Sequence, residues 1–154
     1  MADPASSQRL ILLVEDNQDD VLLVRRAFER AGVGEGIRSV PSGMEAIAYL
    51  EGAFPYSDRC KYPMPDMVLL DIKMPGTDGF EVLRWIRQRR ELLDLRVVML
   101  TSSDEIRDVN RAYQLGANSF LVKPLDFENA RELWRSLERV LTTRRGQGYF
   151  TPPV

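Results

Sequence analysis

Residues Arg9–Asp20, RLILLVEDNQDD, pass from a run with five apolar residues in six into six polar ones, four of them acids. A short apolar run without polar alternation is the pattern of a strand buried on both faces, as in a parallel sheet. Behind it Val21, Val24, Ala27, Phe28 and Ala31 recur at helical spacing, and Gly32 supplies a stop. Strand followed by helix is half of a parallel crossover, so this unit decides the fold class. It also poses the chemical question, because a strand built for burial ends in negative charge.

Outward from that unit the pattern repeats. Ile37–Val40 is a second short strand. Ser42 then caps a helix carrying Met44, Ala46, Ile47 and Leu50, with Glu45 placed to complete a capping box. Residues Gly52–Pro65 (GAFPYSDRCKYPMP) hold three prolines and no periodicity, which predicts a surface loop. Asp66–Leu70 is a third strand, and Phe80, Leu83, Ile86 and Arg87 start another helix. Val97–Leu100 is a fourth strand, Asp104–Leu115 a helix closed by Gly116, and Ser119–Val122 a fifth strand. Phe127, Ala130, Leu133, Trp134, Leu137, Val140 and Leu141 form the apolar stripe of a last helix. Five buried strands alternating with five helices give an α/β fold, a parallel sheet covered on both faces. The expected organisation is one domain over 9–142, with tails at 1–8 and 143–154.

Composition narrows the functions. The chain has 154 residues, 44% hydrophobic and 29% charged, as in ordinary globular proteins. No apolar run approaches the roughly 20 residues that span a bilayer, and the N-terminus lacks a signal-peptide core, so a cytoplasmic protein without membrane partners is expected. A net charge of −2 gives no support to nucleic-acid binding. The single Cys60 forms no internal disulfide. There is no histidine, which excludes imidazole catalysis and imidazole metal ligands within this chain.

In a parallel sheet the C-terminal strand ends share one edge, where ligands of open α/β sheets bind. Glu15 and Asp16 follow the first strand and Asp71 the third; Thr101, with Ser102 and Ser103, follows the fourth, and Lys123 and Pro124 the fifth. Two carboxylates about 5 Å apart repel by roughly 3 kcal/mol at an effective dielectric near 20, and three such pairs by about 10 kcal/mol. Either the acids are partly protonated or a cation sits among them. An all-oxygen set with open positions suits Mg²⁺, which shares its shell with phosphate. Plainer roles exist for each residue: Asp16 or Asn17 as a helix cap, Thr101 or Ser102 as the cap of the helix near Asp104, Lys-Pro as a turn. Convergence of four strands on one edge favours the site.

These residues resemble the receiver domain of two-component response regulators. The likeness runs over about Leu10–Leu141 and is carried by VEDN (Val14–Asn17), LLDIKMPGTDGF (Leu69–Phe80), MLTSS (Met99–Ser103) and FLVKP (Phe120–Pro124), in order, with the Asp71-to-Thr101 and Thr101-to-Lys123 intervals at family spacing. It implies a doubly wound (βα)5, CheY-like sheet of strand order 2-1-3-4-5. It further implies that Asp71 accepts a phosphoryl group from a phosphohistidine on a sensor histidine kinase. Glu15, Asp16, Asp71 and the main-chain carbonyl of Lys73 would hold Mg²⁺, with Asp16 the more direct ligand. Lys123 and Thr101 would contact the phosphoryl oxygens. Thr101 and Phe120 would form the switch, Phe120 otherwise being a half-buried strand residue. The Lys123–Pro124 bond resembles the family's cis peptide.

The Gly52–Pro65 loop is longer than in the average receiver. Lys73, two residues after Asp71, puts a second ammonium at the entrance, to slow hydrolysis, meet the kinase or stay solvated. The loop, the DNQDD run and Leu125–Glu128 resemble regulators paired with phytochrome-type kinases. The leading expectation is a stand-alone switch acting through protein contact, because too few residues follow the last helix for a DNA-binding module. A carboxylate-nucleophile phosphohydrolase is the alternative, but it wants an acid where Lys73 stands. An FMN carrier wants a hydroxyl-rich loop where this chain has EDNQDD. Self-association strengthened by phosphorylation is expected, and Arg131, Arg135 and Arg139 form either a docking stripe or a solvated face. The downstream target is not named by any motif. In the opening stretch, Glu15 and Asp16 are taken as the chemical acids and Asn17–Asp20 as an ordinary acidic first turn favoured by the helix dipole.

Overall fold

A computed structural model of the chain describes residues 9–32, 36–101, 106–123, 135 and 137–140. The elements are β1 (Ile11–Val14), α1 (Gln18–Arg30), β2 (Ile37–Val40), α2 (Gly43–Glu51), β3 (Met67–Asp71), α3 (Gly79–Arg87), β4 (Arg96–Thr101), α4 (Ile106–Gln114) and β5 (Ser119–Val122), with a short 3₁₀ turn at Arg90–Leu92. All strand pairs are parallel and the order is β2-β1-β3-β4-β5, as the sequence likeness implied. The expected last helix lies mostly outside the described residues; 135 and 137–140 are helical.

The unbroken apolar strands have a direct physical reading. Leu12, Val14, Val68, Leu70, Val97 and Met99 face one layer, packed with Ala46, Tyr49 and Leu50 of α2 and Phe80, Val82, Leu83 and Ile86 of α3. Ile11, Leu13, Met67, Leu69, Val98, Leu100 and Leu121 face the other, packed with Val21, Val24 and Phe28 of α1 and with Leu137 and Val140. Each residue of β1 and β3 therefore buries its side chain whichever way it points, whereas the edge strands β2 and β5 leave Ser39 and Val122 exposed. In the central strands a polar alternation would have placed a charge in one of the two cores.

Helix starts follow side-chain caps. Asn17 accepts from the amides of Asp19 and Asp20, Ser42 from that of Glu45, and Asp78 from that of Glu81. Only one arm of the expected capping box forms as drawn from sequence: the Glu45 carboxylate instead accepts the Tyr56 hydroxyl. Met44 sits on the outer face of α2 and is exposed.

The 52–65 segment is a loop, as expected, but one closed by its own contacts. Arg59 donates to the carbonyls of Tyr49 (2.8 Å), Leu50 (2.9 Å) and Tyr62 (3.2 Å), satisfying the C-terminal carbonyls of α2. The Tyr49 hydroxyl donates to the Pro63 carbonyl at 2.8 Å. The rings of Tyr49, Tyr56 and Tyr62 pack with centroids 5.1–6.0 Å apart.

One glycine is fixed by close approach. A Cβ on Gly79 would lie 2.2 Å from the carbonyl oxygen of Asp71 and 2.8 Å from Cα of Ile72. The start of α3 is thus pressed onto the backbone that carries the strand-end acid. The Gly79 amide donates back to the Ile72 carbonyl at 3.0 Å.

Candidate functional site

The parallel register sets the site. Val14 pairs with Leu70 and Asp71 with Leu100, so β1, β3 and β4 end level with one another. Glu15, Asp16, Asn17, Asp20, Asp71, Lys73 and Lys123 line one pocket of about 370 Å³ at that edge. Sequence reasoning placed five of these there: Glu15, Asp16, Asp71, Lys73 and Lys123. Asp71 is the last residue of β3, one position beyond the strand end expected from sequence, and is buried with Glu15. Asp16 and Lys73 are exposed at the mouth.

Lys123 is the electrostatic centre. Its ammonium lies 2.5 Å from a Glu15 oxygen, 3.1 Å from Asp20 and 3.3 Å from Asp71. Its own amide donates to the Thr101 carbonyl at 2.6 Å, which ties the end of β5 to the end of β4. Thr101 is buried at the end of β4 and is not among the residues that line the pocket. Ser102, Ser103 and Pro124 lie outside the described residues, and with them the expected cis bond; the Phe54–Pro55 bond is cis.

One lysine does not neutralise two buried acids. Burial pushes the Glu15 carboxyl up to about 7, with the Asp71 charge adding to the rise; the Lys123 hydrogen bond and the Asn17 amide oppose it. Asp71 is also raised, by burial first, although Lys123, Glu15 and the Lys73 amide all favour its charged form. The Lys123 ammonium, hydrogen-bonded to Glu15 and facing Asp71, is held above the ordinary lysine value against the cost of its burial. Near neutral pH the pair of acids therefore retains a proton for part of the time. Partial protonation is one of the two ways in which the repulsion among these acids is relieved.

A cation is the other outcome, and the donor set fits one. Glu15, Asp16 and Asp71 each offer a carboxylate oxygen, all within 4.8 Å of one another. Hard divalent ions take such all-oxygen sets, and two buried carboxyls driven towards their neutral forms are the groups a cation would relieve.

The opening stretch needs one correction. Asp20 is not only part of an acidic first turn: it reaches the pocket and pairs with Lys123. The signal was present in the helical period, since Asp20 precedes Val24, Ala27 and Phe28 on the inward stripe of α1. Asn17, rather than Asp16, is the cap.

The proposed switch residue Phe120 is half-buried and packs edge-on against Tyr113, with centroids 6.1 Å apart. Arg135 and Arg139 are exposed, whereas Arg131, Leu125–Glu128 and the tail lie outside the described residues. Among the described residues no helix is long and apolar enough to cross a membrane.

Comparison with known proteins gives the same architecture. Residues 11–135 match the family described as the response regulator receiver domain. A probable methanogenesis regulatory protein, FilR2 of Methanothrix harundinacea, is 40% identical over 131 residues, covering 85% of this chain and 80% of that protein. The crystal structure of response regulator RPA3017 in red light signaling of R. palustris superposes with a TM-score of 0.80 at 32% identity, covering 88% of this chain and 97% of that one. The structure of the phosphorylated cyanobacterial phytochrome response regulator RcpA does so at 0.76 and 30% identity, over 90% of this chain and 99% of that one.

Proposed function

This chain belongs to the response regulator receiver family, the phosphoacceptor switches of two-component signalling, and from that premise we propose that Asp71 is the residue phosphorylated. The carrying observation is the meeting of Glu15, Asp16, Asp71 and Lys123 in one pocket at the strand ends. The Asp71 carboxylate attacks phosphorus of a phosphohistidine on a separate kinase. A carboxyl O–P bond forms, the P–N bond breaks, and its electron pair returns to the imidazole. The absence of histidine here agrees with a donor supplied in trans.

Glu15, Asp16, Asp71 and the Lys73 carbonyl would hold Mg²⁺, which when bound supplies positive charge to the phosphoryl oxygens. Lys123 donates to one of those oxygens and Thr101 to another. The charge added at Asp71, up to two units, then pulls Thr101 inward. The ring of Phe120 follows into the space released and repacks against Tyr113. The readout is protein contact, by a cytoplasmic regulator that self-associates when phosphorylated. Likeness to RPA3017 and to RcpA, together with the long loop before β3, supports a red-light or phytochrome-type kinase as the donor.

Incubation with acetyl phosphate and Mg²⁺ should add one phosphoryl group by intact mass, and Asp71→Asn should add none. An unmodified wild type, or an Asp71→Asn variant that is still modified, overturns the assignment. Light scattering with and without beryllofluoride tests the self-association, which is lost as a proposal if both states are monomeric.

A further inference from the structure

We propose that Asp20 is a positioning residue for phosphoryl transfer, tethering the Lys123 ammonium at the pocket through a carboxylate that stands outside the metal-binding cluster. The inference rests on the assignment of Asp71 as phosphoacceptor and adds a residue to that site.

An ammonium has three N–H donors, and Lys123 has three acids within 3.3 Å: Glu15, Asp20 and Asp71. Two of them, Glu15 and Asp71, belong with Asp16 to the cluster suited to a divalent cation; Asp20 does not. A cation engaging Glu15 and Asp71 would weaken their hold on Lys123 and repel its charge. Asp20 is then the contacting acid that remains. The need for a tether follows from the side chain itself, a flexible four-carbon stem whose backbone is fixed separately, by its amide meeting the Thr101 carbonyl.

Asp20 is held in place for this task from two directions. Asn17 Oδ1 accepts from its amide at 3.2 Å and from that of Asp19 at 2.9 Å, fixing the first turn of α1. The burial of Val24, Ala27 and Phe28 then sets the rotation of the helix, which turns Asp20 inward while Asp19 stays exposed. The two neighbouring acids carry the same charge at the same helix end, and only one touches Lys123. That difference supplies the control.

Two measurements on the full chain test the proposal. In protein saturated with Mg²⁺, the Lys123 ammonium protons should be protected from exchange in ¹H–¹⁵N spectra. That protection should vanish in Asp20→Asn and persist in Asp19→Asn and Asp20→Glu. With acetyl phosphate and saturating Mg²⁺, Asp20→Asn should be phosphorylated about fivefold more slowly, the scale of a partly exposed ion pair. Asp19→Asn should match the wild type and Asp20→Glu should recover most of the rate. In a Lys123→Met background, Asp20→Asn should change nothing further. A wild-type rate with retained protection in Asp20→Asn overturns the tether, as does a slowing that persists without Lys123. A wild type that is never phosphorylated removes the Asp71 assignment instead, while the exchange measurement still decides whether Asp20 holds the ammonium.

Discussion

The two ends of β3 are built on opposite principles. Before it, the 52–65 loop brings polar groups together so that each meets a complement: three main-chain carbonyls on Arg59, one on Tyr49, a carboxylate on Tyr56. After it, the pocket collects acids beyond what Lys123 offsets, and burial raises both Glu15 and Asp71. Polar groups that complete one another within the chain fix a shape. Groups left short of a partner hold a place for something from outside.

That contrast predicts opposite responses to mutation. The largest expected effect is at the loop: Arg59→Ala removes the partner of two carbonyls at the end of α2 and of the Tyr62 carbonyl in the loop, and should cost about 2 kcal/mol in urea unfolding, with phosphorylation by acetyl phosphate unchanged. A drop in phosphorylation without a drop in stability would reverse the comparison.

The pocket should show itself next through pH. Glu15 in the folded protein rises from 4.5 to about 7, so the folded state holds that proton more tightly than the unfolded one. In the metal-free protein the contribution of Glu15 to stability is therefore full below the ordinary carboxylate range and is lost as pH climbs through about 7. Denaturation across that window should flatten in Glu15→Gln. The loop's own titration lies far above: burial, then Glu45, pushes the Tyr56 phenol up to about 12, and its contribution persists below the usual tyrosine range.

A smaller effect has the opposite sign from Arg59→Ala. Asp71→Asn keeps the shape and removes a charge that burial disfavours, so the metal-free variant should gain about 1 kcal/mol while losing phosphoryl acceptance. Equal or lower stability would show that the Lys123 contact outweighs the burial cost. The smallest is Tyr49→Phe, which loses one hydrogen bond to Pro63 and should cost about 0.5–1 kcal/mol by thermal or urea unfolding.

Much of this molecule is legible in one dimension. A strand flanked by helices on both faces must be apolar at successive positions, so RLILLV and its counterparts mark the sheet. Parallel chain direction then places Glu15, Asp16, Asp71, Thr101 and Lys123 at one edge. The loop was harder to read, because Gly52–Pro65 has no period and its order comes from Arg59 and Tyr49 reaching across turns.

Residue type and strand position determined that Glu15, Asp16, Asp71, Thr101 and Lys123 would share one edge, since both follow from local pattern and chain direction. Only the tertiary structure decided how charge is shared among them. The rotation of α1, set by burial of Val24, Ala27 and Phe28, brings Asp20 rather than Asp19 to Lys123. The Coulomb interaction depends on distances of a few ångströms and on burial, and neither is fixed until the helices have packed on the sheet.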